Sequence, residues 1–226
     1  MVRSVKLSLL LFITLLCTST TKGQGISFSY LFPTNGYLSA PVSPFSLRGV
    51  GLDFGLVGIE TGFTLYSVPG LPMEDLPFDS EKPLIGPGFA TLVPLQLSLG
   101  IESKTISFKV LGGGFGLWNI NPRINYGNFD RAIKTFKGWD VANADLSIEN
   151  SLGIGWMAGV GFEFHVSQKF SLTTDIQYLS GGINSPLKGT ISGGTEGGTI
   201  QSELVDYPDA KTLLQGIEIS LGVNMN

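Results

Sequence analysis

Hydrophobic and polar residues alternate with a period of two along most of the chain. In the clearest stretch, from Leu152 to Val166, large apolar side chains occupy the even positions, and mainly glycines, with Glu163 and His165, the odd ones. Successive side chains of a strand point to opposite faces, so this pattern predicts a strand with one apolar face. Eight such runs occur, at residues 26–32, 46–54, 59–66, 89–102, 105–118, 152–166, 170–179 and 213–225.

The connections between these runs alternate between long and short. The long ones are residues 33–45, 67–88, 119–151 and 180–212, and the short ones are residues 55–58, 103–104 and 167–169. Long and short connections therefore emerge at opposite ends of an antiparallel sheet. Outer-membrane barrels have an even number of strands, short periplasmic turns and long external loops. The order thus predicts an all-β fold, an eight-stranded antiparallel transmembrane β-barrel with four long external loops.

A soluble, ligand-carrying barrel with its apolar face inward is the alternative architecture. The long apolar faces are almost free of charge, and the loops exceed those of a small soluble barrel, which favours an apolar face turned towards lipid. Charged residues make up 14% of the chain, whereas soluble domains carry about 25%. Lys and Arg number 14 against 18 Asp and Glu, so no basic surplus supports nucleic-acid binding.

The N-terminal residues have the layout of a secretory signal peptide. Arg3 and Lys6 precede an apolar run, and a polar stretch leads to Gly23. The run is too short for a transmembrane helix, which needs roughly 20 apolar residues. We expect residues 1–23 to be cleaved and residues 24–226 to form the barrel in the outer membrane of a Gram-negative bacterium. Cys17, the only cysteine, would leave with the signal peptide.

The strand pattern of the mature chain resembles that of the small outer-membrane β-barrel proteins of the OmpX, OmpW and OmpA-transmembrane type, often labelled porin family in Bacteroidota. The segment VGFEFHVSQKFSLTTDIQY, from Val160 to Tyr178, is similar to a strand, turn and strand near the C-terminal end of such proteins. Gln24, just after the expected cleavage site, is similar to the start of many exported Bacteroidota proteins. The resemblance implies a membrane-embedded barrel without specifying its task.

Polar side chains opposite the apolar faces are expected to point into the lumen. These residues are Asp53, Glu60, Gln96, Lys109, Glu163, His165, Asp175, Gln177 and Glu218. Lys109 is the one basic residue clearly predicted inside, where it would join an ionic network that plugs the barrel or line a very narrow pore. An even turn over 55–58 would place Asp53 opposite Glu60. The two carboxylates would then share a proton, hold a cation or lie in water at the periplasmic mouth.

His165 and Ser167 form a His-x-Ser sequence that resembles part of the outer-membrane lipid A deacylases. That family continues with Asn where this chain has Gln168, and the predicted position is a periplasmic turn. We therefore expect no catalytic residue and no enzyme activity. The chain has one histidine, which excludes the usual His-based metal sites, and neither a metal nor a cofactor is expected.

Glycines and prolines mark special backbone. Gly112–Gly114 predict a bulge or bend, because the inward and outward frame slips there. The glycines within Gly193–Gly198 predict a mobile external hairpin. Five prolines in the connection 67–88 disfavour a helix.

The third long connection contains the candidate recognition segment. Phe129, Ala132, Ile133 and Phe136 are spaced as one face of a short helix, with Asn128 as N-cap and Gly138 as its stop. The segment could lie against lipopolysaccharide phosphates, dock an envelope protein, or pack as a lid on the barrel rim. The candidate residues are Arg123, Tyr126, Phe129, Arg131, Lys134, Phe136, Lys137 and Trp139.

Two function classes remain open. The first is a non-enzymatic barrel, surrounded by outer-membrane lipid and lipopolysaccharide, with a structural or surface-recognition role through residues 119–151 and 180–212. The second is transport, as a narrow solute channel or an accessory barrel of a secretion or gliding system of the PorT type. A lipid A-modifying enzyme is a distant third.

Overall fold

A computed structural model describes residues 24–34 and 42–225. The expected signal peptide, residues 1–23, lies outside the described residues. In chain order the elements are β1 (Gln24–Pro33), β2 (Val42–Asp53), β3 (Val57–Val68), β4 (Met73–Glu74), β5 (Gly88–Glu102), β6 (Ile106–Ile120), α1 (Tyr126–Lys137), β7 (Val141–Ile148), β8 (Gly153–Ser167), β9 (Phe170–Asn184), β10 (Leu187–Gly194), β11 (Gln201–Tyr207) and β12 (Lys211–Met225).

Eight long strands form a closed antiparallel barrel in the order β1, β2, β3, β5, β6, β8, β9 and β12, and β12 pairs back with β1. Short turns join β2 to β3, β5 to β6 and β8 to β9 at one end of the barrel. Gln24 pairs with Met225 at this same, periplasmic end. The long connections lie at the other, external end. The predicted eight-stranded transmembrane barrel is confirmed.

The outer surface of the barrel is apolar because the strand sequences alternate. On β5, Leu95 and Leu97 are at least 60% exposed, whereas Gln96 between them is 5% exposed. Such leucines are favourably placed in lipid, and the closed ring leaves no unpaired strand edge in the hydrocarbon. Within the described ranges no helix is long and apolar enough to cross a membrane.

The barrel strands extend further towards the external end than the alternation predicted. On β9 the predicted strand stops at residue 179, but the strand continues to Asn184. The reason is that the apolar face changes sides. Beyond the membrane level, the outward positions of β9 become polar, while Leu179 and Ile183 point inward and are fully buried. Side chains still alternate between the two faces of the strand, but here the apolar ones point into the lumen and the polar ones point outward.

The same change of sides explains the glycine run of β6. A bulge or a bend was predicted at Gly112–Gly114, and the bulge is wrong, because β6 pairs with β5 and β8 in unbroken register through these residues. The apolar positions change phase in the sequence because Phe115 and Leu117 point into the lumen and not towards lipid. Two register shifts occur instead in the pairing of β2 with β3, and one of them lies beside Gly49, whose φ is 74°.

An apolar cluster fills the external half of the lumen, and we call it the apolar plug. The prediction that polar side chains point into the lumen is therefore incomplete, because apolar side chains fill this half. The plug comprises Leu31, Tyr66, Val68, Leu71, Ile85, Ala90, Leu92, Phe115, Leu117, Met157, Leu179, Ile183 and Leu214.

A second folded layer covers the external end of the barrel. It consists of a three-stranded sheet in the order β11, β10, β7, which we call the external sheet, together with α1 and the connection from β3 to β5. The hairpin predicted around Gly193–Gly198 is present as β10 and β11. This layer has its own core of Phe78, Leu84, Phe129, Ala132, Ile133, Ala144, Leu146, Leu187 and Ile191.

Candidate functional site

The centre of the lumen holds a buried ion pair between strands that are not neighbours. Arg48 on β2 and Glu218 on β12 lie on either side of β1, and Nη2 of Arg48 is 2.7 Å from Oε1 of Glu218. The Arg48 guanidinium also donates to the hydroxyls of Ser46 and Thr64. A contact that spans β1 must cross the interior, so Glu218 points inward and Arg48 shares the lumen with it.

Sequence reasoning missed Arg48 and named Lys109 as the one basic residue inside, which is incomplete. The register shift between Leu47 and Val50 inserts an extra residue into β2. Counting alternate positions back from Asp53 therefore places Arg48 on the wrong face. Two signals could have located it: an arginine facing lipid is costly, and Gly49 permits the positive φ of a bulge.

Two further contacts cross the lumen near this pair. Nζ of Lys109 lies 2.7 Å from Oε2 of Glu60, and Nε2 of Gln96 donates to Oε1 of Gln177 at 2.7 Å. β5 separates the strands of the first pair, and β6 and β8 separate those of the second. Asp175 is buried on the same inward face of β9 as Gln177, two residues nearer the periplasmic end. It lines the same polar space as Arg48 and Lys109. These groups form a polar floor beneath the apolar plug.

Asp53 and Glu60 do not face each other, and the prediction that they do is wrong. The hairpin is closed by the N–H of Phe54, which donates to the carbonyl of Val57, so Asp53 pairs with Gly58 and Glu60 pairs with Gly51. The Asp53 carboxylate instead accepts the N–H of Gly55 at 2.7 Å within the turn, while Glu60 binds Lys109. The sequence did not reveal which residues the turn would use, and a change of two positions in register separated the two carboxylates.

A blind vestibule of about 120 Å³ opens at the periplasmic end. Asp53, Glu60, Lys109, Glu163 and Asn224 line it. Towards the membrane centre it meets the polar floor, and beyond that the apolar plug. The vestibule is large enough for several water molecules, which can solvate the carboxylates at its mouth.

His165 lies at the rim of this vestibule and contacts serines other than Ser167. Its Nε2 is 2.9 Å from the Ser107 hydroxyl, and its Nδ1 is 3.0 Å from the Ser171 hydroxyl. Oε1 of Glu163 is 3.8 Å from Nδ1. Ser167 accepts the N–H of Lys169 within the exposed turn. The structure therefore does not join His165 and Ser167 in one site.

The Ser107 and His165 pair lacks the other parts of an acyl-transfer site. The backbone on both sides of Ser107 is hydrogen-bonded into the ladders with β5 and β8, so it offers no free N–H pair to an oxyanion. Among the described residues, no three His, Cys, Asp or Glu side chains are grouped to hold a metal ion. The contacts described among the lumen side chains are hydrogen bonds and ion pairs.

The external helix forms where its apolar spacing predicted it. Phe129, Ala132 and Ile133 are buried against the external sheet, while Phe136 stays about half exposed beside Phe78. Gly138 ends the helix in a left-handed conformation. The apolar face is thus covered by the protein itself, which favours the lid among the three predicted arrangements; the lid packs on the external sheet.

The predicted N-cap Asn128 is wrong by one turn. Asn125 caps α1, and its side chain accepts the N–H of Asn128 at 3.2 Å. The Asn128 side chain donates to the carbonyl of Pro83 and so ties the helix to the connection between β3 and β5. Both residues are asparagines three positions apart, and only the packed structure distinguishes the cap from the tether.

The basic and aromatic candidates of this segment do not form one surface, because most of them contact different parts of the external layer. Lys137 pairs with Glu203 of β11, and Nη1 of Arg131 donates to Asn128 on the same helix. The Tyr126 hydroxyl donates to the carbonyl of Leu146 at 2.9 Å. Trp139 lies beside Gly193, and Nζ of Lys137 is 5.9 Å from the centroid of its ring. Two candidates stand apart from this group: exposed Arg123 between β6 and the helix, and Lys134 half-buried in its last turn.

Tyr207 on β11 is half-buried in the external core, where its ring contacts that of Phe78. Burial raises the pKa of the Tyr207 phenol above its ordinary value of 10.0, and the negative charge of Glu203 raises this pKa further. The phenol therefore stays neutral to a higher pH than an exposed tyrosine would.

Comparison with known proteins shows similarity to solved structures of outer-membrane proteins. No protein-family model and no curated protein matches the chain. It is 14% identical to Ail, the attachment invasion locus protein of Yersinia pestis, over 91% of this chain and 99% of that chain, with a TM-score of 0.42. It is 11% identical to OprG from Pseudomonas aeruginosa over 92% and 97% of the two chains, with a TM-score of 0.47. It is 12% identical to the E. coli outer membrane protein W over 92% and 100%, with a TM-score of 0.38.

Proposed function

We propose that this protein is an integral outer-membrane β-barrel with a closed lumen, whose external layer carries a structural or surface-recognition role without catalysis. The observation that carries the proposal is the apolar plug, which occupies the external half of the lumen directly above the polar floor. A barrel sealed by packed side chains serves as a scaffold, and recognition then falls to the layer that the scaffold presents.

The location in the membrane is inferred from the outer surface. Leu95, Leu97 and Leu99 form an aliphatic row on β5, and each is well over half exposed. Exposed aromatic rings flank this level, with Trp118 and Phe89 towards the external end and Phe54 in a periplasmic turn. An apolar band between two aromatic girdles is typical of outer-membrane barrels. The export by a signal peptide and the Bacteroidota origin are parts of the proposal that rest on the sequence alone.

A solute channel has less support than a closed barrel. A conducting path would need polar, wetted walls along the whole axis, because a dry apolar constriction excludes water and ions. Here Leu92, Leu117, Leu179 and Leu214 are practically inaccessible to solvent at the level where such a path would run. No observation among the described residues favours an accessory role in secretion or gliding.

Contact with lipopolysaccharide is assigned to the rim and not to the helix. Arg123 is exposed and lies beside the crevice formed by Phe89 and Ile120, at the external edge of the aromatic girdle. An arginine at this level can bind phosphate groups in a bidentate manner while its stem covers apolar surface. Lys137 is already paired with Glu203 and is less available.

The test is single-channel recording of the refolded protein in a planar lipid bilayer, after a heat-modifiable shift on a gel has shown that it is folded. We expect no steady conductance. A conducting porin added to the same bilayer is the positive control. A steady conductance that changes when Lys109 is replaced by glutamine would show an open lumen and overturn the proposal in favour of transport.

A further inference from the structure

The external sheet has two edge strands, and only one of them is covered. At the edge of β7, the Asp130 carboxylate accepts the N–H of Ala144 at 2.8 Å, and the Tyr126 hydroxyl donates to the carbonyl of Leu146. Helix α1 therefore satisfies two of the outward-facing backbone groups of β7. This is one of the usual ways in which proteins protect an edge from pairing with another strand.

Among the described residues, the opposite edge, on β11, has no such cover. Backbone groups alternate in direction along an antiparallel strand. Because the Ala144 N–H points away from β10, the residue opposite it, Ile191, directs its backbone groups to β11, where it pairs with Glu203. The intervening residues Ser202, Leu204 and Asp206 then direct their N–H and C=O groups to the free edge. Within residues 24–34 and 42–225, no other strand pairs with that edge.

Leu204 at the middle of this edge is unusually exposed. It is 87% accessible, the highest value among the large apolar side chains of the described residues. Its neighbours on the same face are Ser202, Asp206 and, across the ladder, Thr190. A partner strand that covered this leucine would remove its apolar surface from water, which is favourable.

We propose that β11 pairs antiparallel with β11 of a second copy of this chain, so that two external sheets join into one six-stranded sheet. When all seven residues of β11 pair side by side with the seven of the partner strand, Leu204 lies opposite Leu204 of the partner subunit. Ser202 then lies opposite the partner's Asp206, and Glu203 opposite the partner's Val205. Each pair that faces the edge exchanges two backbone hydrogen bonds, and the two leucines cover each other.

The charges of β11 select this register. A shift by two residues in one direction would place Glu203 opposite Glu203 of the partner subunit, and like charges directly opposite are destabilising. A shift in the other direction would place Leu204 opposite the partner's Asp206. Only the central register opposes no two carboxylates and pairs the leucines. The inference rests on the proposed function in one respect, that the external layer is the accessible part of the molecule.

Cysteine crosslinking tests the register directly. In a Cys17→Ser background, Leu204→Cys places two thiols one strand spacing apart, about 5 Å, whereas Thr190→Cys places them three spacings apart, about 14 Å, on the same face. We expect a short bifunctional thiol reagent to give a covalent dimer of the folded, membrane-inserted Leu204→Cys protein only. No dimer at 204, or equal dimer at 190, would overturn the proposal.

Sedimentation of the folded protein in detergent provides a second readout. We expect a concentration-dependent dimer that Leu204→Lys weakens by about tenfold or more, because two ammonium groups would meet at the dyad. The matched control, Asn143→Lys on β7, lies on the same face away from this edge, opposite Ser192, and should leave association unchanged. A protein that stays monomeric and does not conduct would disprove the pairing and leave the closed barrel supported. A protein that dimerises and conducts steadily would support the pairing and overturn the closed barrel.

Discussion

Arg48 and Glu218 form an ion pair across β1, with Nη2 and Oε1 2.7 Å apart and with side chains 9% and 1% exposed. The pair joins β2 to β12 over the strand that lies between them. It therefore spans the place where the first and last strands of the barrel meet. Neither charge has access to bulk water, so each depends on the other and on the hydroxyls around it.

Replacing one partner of this pair should destabilise the barrel strongly. We expect Arg48→Met to lower the free energy of unfolding by about 3–5 kcal/mol, because Glu218 would remain as a buried, uncompensated charge. Urea unfolding in lipid vesicles, followed by tryptophan fluorescence, measures the change.

The double variant Arg48→Met, Glu218→Leu is the informative control for this prediction. Since it leaves no bare charge, it should recover most of the lost stability. Lys169→Met in the exposed turn controls for the loss of a cation as such. An Arg48→Met protein as stable as Lys169→Met would contradict a structural role for the ion pair.

The ring of Phe115 occupies space that glycines leave free. A Cβ at Gly181 would lie 2.6 Å from Cζ of Phe115, and one at Gly155 would lie still closer to the same atom. We expect Gly181→Ala to destabilise the barrel by about 1–3 kcal/mol through overpacking. Denaturant unfolding measures the change.

Replacing the Phe115 ring by the smaller side chain of leucine, in Phe115→Leu, should relieve this clash. We therefore expect Gly181→Ala to cost less in a Phe115→Leu background than in the wild type, a positive coupling in a double-mutant cycle. Equal costs in both backgrounds would show that the two side chains do not compete for the same space.

Asn125 and Asn128 should differ in their effects on α1. Asn125→Ala removes the cap and should lower helix stability by about 0.5–2 kcal/mol. Asn125→Asp should retain it, since a carboxylate also accepts the N–H of Asn128. Amide hydrogen exchange of residues 126–137 measures the effect. If Asn128→Asp protected the helix and Asn125→Asp did not, the cap would lie one turn later than observed.

The external layer should lose stability at high pH through Tyr207. The folded-state pKa of this phenol is raised above 10.0 by burial and by Glu203. A raised pKa contributes stability that is present below the ordinary pKa and is lost as the pH rises through the folded-state pKa. We expect the tyrosinate absorbance assigned to Tyr207, by difference from Tyr207→Phe, to rise later than that of a free tyrosine. Glu203→Gln should shift it to lower pH, and an unshifted titration would contradict the assigned cause.

The elements with a strong single period were predictable from the sequence. All eight barrel strands were predicted, because one face of each is apolar over the membrane level. Helix α1 was predicted because Phe129, Ala132 and Ile133 repeat at helical spacing. Strand β7 was not predicted, since small residues such as Ala142 and Ala144 supply much of its inner face and give only a weak hydrophobic contrast.

The polar floor was only partly predictable, because it depends on register. Gln96, Lys109, Asp175 and Gln177 follow simple alternation and were assigned to the inward faces. Arg48 escaped this rule because a bulge beside Gly49 changes the phase of β2. Partners across the lumen, such as Gln96 and Gln177, belong to strands far apart in sequence. Local pattern assigns each side chain a face, and only the closed ring determines which side chains meet.

Pairing of β1 with β12 also has a consequence for assembly. The hydroxyls of Ser29 and Ser220, 191 positions apart, are hydrogen-bonded in this seam, so the ring cannot be sealed before the last strand has been made and delivered. Contacts of such long range are slow to form, since the chain must lose most of its freedom before it gains them. Until then Arg48 lacks its counter-ion. Arg48 is therefore neutralised only when β12 closes the ring. A truncated protein that lacks β12 would be an open barrel with an unpaired charge inside.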